Sequence, residues 1–180
     1  VGSSKRLEAI KIELKNSING GISYCTHVQT YGWQDWKSNG ELAGTSGEGK
    51  RLEAIKIKLT GEVAEQYDIY YRVHAQTYGW LGWTKNGAMA GTAGYAKRLE
   101  AIQIELSGDD AEKYDVYYRV HAQGYGWLDW AKDGQAAGTQ GYSKRIEAIQ
   151  IAVVPKGSDA PGSTSRPFVK EKMSMQYSSY

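Results

Sequence analysis

His27-Val28-Gln29-Thr30-Tyr31-Gly32-Trp33 returns as His74-Ala75-Gln76-Thr77-Tyr78-Gly79-Trp80 and again as His121-Ala122-Gln123-Gly124-Tyr125-Gly126-Trp127. Each copy runs on through a second Trp, an Asn-Gly or Asp-Gly pair, an Ala-Gly-Thr and an Arg-Leu/Ile-Glu-Ala-Ile block. The arginine of that block stands at Arg6, Arg51, Arg98 and Arg145, in steps of 45, 47 and 47 residues. From the second Trp to the next such arginine the step is always 15. The two-residue difference therefore falls between copies, which places a surface connection there, because loops absorb length changes that packed strands do not. A fixed period of this length marks a repeat architecture, whose units must pack on one another to bury a core.

Within a unit the pattern is β. Alternation puts Tyr71, Val73 and Ala75 on one face of a strand and Tyr70, Arg72, His74 and Gln76 on the other. Asn39-Gly40, Asn86-Gly87 and Asp133-Gly134 are tight-hairpin signals, since a type I′ turn needs positive φ at both central positions. Gly47, Gly94 and Gly141 mark a second turn, and a closing strand puts Ile55, Ile57 and Leu59 inward with Lys56 and Lys58 outward. The reading is about four short strands per unit, with helix confined to a turn at Ala111-Glu112-Lys113. The expected fold is all-β: three tandem units of about 47 residues with pseudo-threefold symmetry, arranged like a β-prism. A β-trefoil and an open β repeat array are the alternatives. The expected boundaries are a partial repeat over 1–14, three repeats over 15–59, 60–106 and 107–154, and a linker and tail over 155–180.

The two ends break the pattern. Lys5 to Leu14 is a fourth copy of the closing strand with no Trp segment ahead of it. It reads as the remnant of a preceding repeat or as a strand that swaps with the one at Arg145 to Val153. All three prolines (Pro155, Pro161 and Pro167) lie in the last stretch, with the only Phe, and mark a linker followed by a short polar tail.

Composition narrows the function. A formal charge of +2, with Lys and Glu interspersed, lacks the clustered basic footprint of a nucleic-acid binder. Fourteen Tyr and six Trp against one Phe favour rings with polar handles, half-buried in a small core or placed at wet interfaces. Cys25 is the only cysteine and stands where the other copies have Arg72 and Arg119; it excludes an internal disulfide. No apolar run reaches membrane-spanning length, so no membrane insertion is expected. The chain opens at Val1 with no signal-like segment, which reads as a processed piece with any export signal upstream.

The string Tyr-Gly-Trp-x-x-Trp-x-x-Asn-Gly-x-x-Ala-Gly-Thr-x-Gly-x-x-x-Arg-x-Glu-Ala-Ile resembles the clostridial hydrophobic repeats with a conserved Trp, the ChW repeats. The likeness covers residues 22–153 and, as a fragment, 5–14. It implies an exported or surface-attached protein of clostridia and related Gram-positive bacteria, with repeats often in threes. The roles it implies are adhesion and binding of polysaccharide or protein.

The candidate ligand-binding residues are the Trp pairs Trp33 and Trp36, Trp80 and Trp83, and Trp127 and Trp130. An odd spacing on a regular strand would send the two rings to opposite faces, one to the core and one to solvent. An exposed Trp beside polar groups can stack on sugar rings or anchor a partner. Gln29, Gln76 and Gln123 are the expected hydroxyl-binding partners. His27, His74 and His121 could form a three-nitrogen zinc site only if they met on the threefold axis, although a strand histidine bonded to its neighbour is the commoner outcome. Arg51 and Glu53, with their equivalents, read as structural ion pairs, because a charge turned inward is costly unless paired. No catalytic residue, resident metal or cofactor is expected.

These readings converge on a non-catalytic extracellular or cell-surface module that binds polysaccharide multivalently, through weak sites strengthened by avidity on a repetitive polymer. The expected partner is a glycan polymer or a cell-wall or host-surface component, not nucleic acid. The alternative is a structural or adhesive surface protein that binds protein partners or self-associates through Lys5 to Leu14 or the tail.

Overall fold

The computed structural model describes residues 20–108 and 113–172. The extra strand from Lys5 to Leu14 and the turn at Ala111-Glu112 lie outside the described residues. Each repeat contributes five strands, one more than its sequence pattern indicates. The first supplies β1 (Gly21–Val28), β2 (Gly32–Trp33), β3 (Lys37–Ser38), β4 (Ala43–Gly44) and β5 (Leu52–Thr60). The second supplies β6 (Asp68–Ala75), β7 (Gly79–Trp80), β8 (Thr84–Lys85), β9 (Met89–Gly91) and β10 (Leu99–Ser107). The third supplies β11 (Tyr114–Ala122), β12 (Gly126–Trp127), β13 (Ala131–Lys132), β14 (Ala136–Gln140) and β15 (Ile146–Pro155), and β16 (Phe168–Lys170) follows. The short strands β2 and β3, with their equivalents, are two residues long, too short to show a period.

One helical turn of note, α1 (Gly61–Gln66), occupies the connection between the first two repeats and buries Val63. The sequence pattern indicates helix only at Ala111-Glu112-Lys113, because six residues that bury a single side chain, Val63, carry no helical stripe.

Three sheets result, each built on two long antiparallel strands: β1 with β5, β6 with β10, and β11 with β15. The short strands β2 and β3 share the outer edge of β1, and their equivalents do the same in the other sheets. The fourth strand of each repeat leaves its own sheet and pairs with the closing strand of the repeat before it. Thus β9 pairs with β5 and β14 with β10, and β4 closes the circle on β15. That last pairing rules out an open array, and three separate sheets rule out a trefoil, which needs a closed barrel. The architecture is the β-prism type. Since β15 is flanked by β11 and β4, the chain itself fills the third place in the ring.

The Ala-Gly-Thr motif exists for this crossing. Gly44, Gly91 and Gly138 have φ of 110°, 101° and 121°. A Cβ there would stand 2.4, 2.6 and 2.3 Å from the carbonyl oxygens of Glu147, Glu53 and Glu100 on the neighbouring strand. Only glycine allows so close an approach in that backbone region.

The alternation foreseen in β6 holds, with every second residue buried. Three buried tyrosines bolt the repeats together. The Tyr24 hydroxyl donates to the Glu41 carbonyl and accepts from the Ile151 N–H at 3.2 Å, joining the first repeat to the third. Tyr71 joins the Ala88 carbonyl to the Ile57 N–H at 3.1 Å, and Tyr118 joins the Gln135 carbonyl to the Ile104 N–H at 3.2 Å. Burial pushes the Tyr24 hydroxyl up to about 12 and raises Tyr71 and Tyr118 as well, so all three stay protonated donors.

Candidate functional site

The pairing register explains how polar groups reach the threefold axis. Opposite His27 and Val28, the closing strand carries one residue too many, Glu53; the same bulge places Glu100 and Glu147. Alternation lapses there, and Leu52, Glu53, Ala54 and Ile55 are all buried. Each bulge carboxylate is held on both sides. Glu53 accepts from Arg51 at 2.9 Å and lies 3.0 Å from His27 Nδ1. Glu100 stands 2.9 Å from Arg98 and 3.0 Å from His74, and Glu147 stands 3.1 Å from Arg145 and 3.2 Å from His121. The expected ion pairs are present.

The histidines therefore stay in their own repeats. Each meets its repeat's first tryptophan edge to face, at 5.4 Å for Trp33, 5.5 Å for Trp80 and 5.4 Å for Trp127. Among the described residues no group of three or more His, Cys, Asp or Glu is arranged to hold a metal.

What meets on the axis is the set of glutamines and arginines. Gln29, Gln76, Gln123, Arg51, Arg98 and Arg145 line one cavity of about 510 Å³, together with Gly49, Ala96 and Ser143. In every repeat the glutamine Oε1 accepts the backbone N–H of that arginine, at 3.2, 3.3 and 3.4 Å. Its oxygen is thus engaged and its amide N–H groups remain to be offered. Each guanidinium uses one edge on its glutamate and keeps other N–H groups free. The cavity wall is consequently rich in donors. Lys50 and Lys97, on the same loops, bind the Thr30 and Thr77 hydroxyls at 3.1 Å and add positive charge nearby.

The tryptophans form a second set of surfaces, away from the axis. Trp36 and Trp83 are each 42% exposed, and Trp33 is 37% exposed. The rings of a pair do not take opposite faces. In the second repeat the Arg72 guanidinium lies 4.9 Å from Trp80 and 5.0 Å from Trp83. Arg119 sits likewise between Trp127 at 4.6 Å and Trp130 at 5.0 Å. The spacing rule fails because β2, β7 and β12 end at the first Trp and the chain turns before the second.

The first repeat reaches the same end by different residues. Cys25 replaces the arginine, and Lys56 replaces the glutamine that pairs with it across the strands. Lys56 Nζ then covers Trp33 at 4.4 Å and Lys58 covers Trp36 at 4.2 Å. The cation has moved one strand over and the ring has kept it. Cys25 itself is buried, and burial raises its thiol.

Trp130 is the exception, at 6% exposed. The chain beyond β15 crosses it: the backbone N–H of Trp130 donates to the Ser163 carbonyl at 2.9 Å, and that of Asp129 to the Arg166 carbonyl at 3.1 Å.

Comparison with known families decides the kinship. Residues 27–61, 74–108 and 121–155 match the family described as clostridial hydrophobic W, or ChW, and together span more than half of the 180 residues. The chain belongs to the ChW family. No curated protein and no solved structure matches it. Each ChW match opens at the histidine of the His–Glu–Arg chain; the first two close one residue beyond β5 and β10, and the third closes at the end of β15. The ChW repeat therefore holds both the tryptophan pair and the arginine that reaches the axis. The chain is a three-repeat ChW module. Among its described residues no helix is long and apolar enough to cross a membrane.

Proposed function

We propose that this ChW module is a non-catalytic binding protein of the cell surface, and that its ligand is an acidic, oxygen-rich glycan held in the axial cavity. The observation that carries the reading is the convergence of three glutamines and three arginines, each with its acceptor or one edge already engaged. Such a wall is dominated by donors and positive charge, and it matches carboxylate, phosphate or sulfate oxygens on a sugar. The cavity accommodates a sugar residue and faces solvent, so a polymer end or branch can enter. Glu53, Glu100 and Glu147 are each tied to an Arg and a His of their own repeat, so these carboxylates are not offered to the cavity as a free acid pair.

The glycan site thus shifts from three tryptophan platforms to one axial pocket, and the open Trp36 and Trp83 faces become additional contacts along a polymer. Titration calorimetry with acidic and neutral polysaccharides tests this. Gln76→Glu keeps the oxygen that accepts the Arg98 N–H but replaces a donor with a charge. Acidic polymers are expected to bind the parent chain and to bind this variant at least tenfold more weakly. Equal binding of neutral and acidic polymers, insensitive to Gln76→Glu, would remove the axial site from the account.

A further inference from the structure

The segment that covers Trp130 continues along its own repeat. The Asp129 carboxylate accepts from the Arg166 N–H at 2.7 Å and the Ser165 hydroxyl at 2.9 Å. A Cβ at Gly162 would stand 3.1 Å from Trp130 Nε1, so the segment passes close against the indole. Next, the Gly138 N–H donates to the Pro167 carbonyl at 3.0 Å, and β16 adds to the outer edge of β14 in parallel register. Residues 162–170 thus lie on a continuous track: the backbone N–H groups of Asp129, Trp130 and Gly138, a carboxylate, an indole and the outer edge of β14. This is the geometry by which proteins add an extended peptide to a sheet.

The first repeat carries the same track and the second a partial one, and neither holds such a segment among the described residues. In the first repeat Asp35 and Trp36 stand where Asp129 and Trp130 do, both exposed. There, β4 is the terminal strand of its sheet, and its outer edge is uncovered among the described residues. The Thr45 N–H points to Glu147 on the neighbouring strand at 3.0 Å, so the pleat turns the Gly44 N–H outward, as it turns that of Gly138. In the second repeat β9 is likewise terminal, but Gly82 replaces the aspartate.

We infer that the first repeat carries a peptide-binding track for an extended segment of another polypeptide, with the chemistry of Gly-Ser-Thr-Ser-Arg-Pro-Phe-Val-Lys, which the third repeat fills with its own chain. The occupant enters as a hydroxyl-rich stretch whose N–H groups reach Asp35, passes over Trp36 and pairs with β4. The proline fits because its position presents a carbonyl to the edge and needs no N–H. The second repeat, lacking the carboxylate, is the weaker of the two. This site is distinct from the axial cavity and does not depend on what that cavity binds.

The test is fluorescence anisotropy of a labelled synthetic peptide with the sequence of residues 162–170, titrated with the full chain. Saturable binding is expected, weakened about tenfold by Asp35→Ala through loss of charge-assisted hydrogen bonds. Asp35 is exposed, so its loss leaves the fold intact, and Asp129→Ala should leave peptide binding undiminished. The proposal is overturned if the peptide does not bind, or if a scrambled peptide binds equally. It is also overturned if binding is lost in Asp129→Ala and kept in Asp35→Ala, because the peptide would then only be exchanging with the chain's own segment.

Discussion

At the scale of single residues, three kinds of position carry the architecture. The buried tyrosines each satisfy a carbonyl and an N–H that belong to different repeats. Removing only the hydroxyl, as in Tyr71→Phe, leaves both groups buried and unpaired. The expected loss is about 1–3 kcal/mol of unfolding free energy, read by urea denaturation. The crossing glycines are constrained by close approach as well as by φ. Gly91→Ala would force a Cβ to 2.6 Å from the Glu53 carbonyl, whereas Gly94→Ala, with φ of 85°, meets nothing within 4 Å. Gly94→Ala is expected to cost only the left-handed backbone penalty of about 1–2 kcal/mol. Gly91→Ala should cost clearly more, and a thermal melt of both variants compares them. The paired change of Cys25 and Lys56 is the third kind. Lys56→Gln in the first repeat leaves Trp33 without its cation, and a loss of about 0.5–1 kcal/mol is expected in the same melt.

At the scale of elements, the closing segment after β15 is tied down by one carboxylate. Asp115 is fully buried and accepts from the Gly157 N–H at 3.1 Å, with Lys156 at 3.1 Å and Lys132 at 3.5 Å. Burial acts to raise this carboxyl, but the Gly157 N–H, the Asp133 carboxyl and the two ammonium groups outweigh it and hold it below its ordinary value. Asp133 beside it is raised, by burial first and then by Asp115. A lowered carboxyl adds stability above its ordinary value of 3.8 and loses it as pH falls through the folded value. The anchor should therefore hold from pH 7 to 5 and fail only below 3.8, where the Trp130 indole N–H resonance should shift as its cover lifts. A chain ended at Pro155 should show that shift at neutral pH. It should also unfold about 1.5–3 kcal/mol more easily, through exposure of one large side chain.

Much at this scale was legible in sequence and some was not. Tyr71, Val73 and Ala75 declared their face because eight residues of strand give a period room to show. Asn86-Gly87 and Asp133-Gly134 declared their turns, and all four residues have positive φ. Ala43-Gly44 is too short to declare its partner, so the circular exchange of strands had no periodic signal. Its trace was the glycine between Ala and Thr, a residue that a mere turn would not require at all three positions. The Trp pairs misled because alternation was carried past the end of a two-residue strand. The docking of residues 162–170 had no signal in composition, since Ser, Thr, Pro and Gly describe a linker whether or not it is bound.

At the scale of the molecule, threefold repetition concentrates chemistry on the axis. One glutamine and one arginine per repeat are unremarkable as surface residues. Brought together three times, they become a wall of hydrogen-bond donors around a single cavity. A chain of contacts runs from each axial arginine through Glu and His to a tryptophan on the flank, so pocket and platform are mechanically joined in every repeat. The third platform is closed by the chain's own segment, which breaks the symmetry; among the described residues no such segment covers the first two repeats. On the proposed function, the axis binds one acidic ligand through all three repeats at once. NMR titration of the side-chain amide resonances of Gln29, Gln76 and Gln123 with an acidic oligosaccharide tests it most directly. All three pairs should move together, with one dissociation constant and a stoichiometry of one. Shifts confined to the Trp36 and Trp83 indoles, with the three glutamines unmoved, would contradict it.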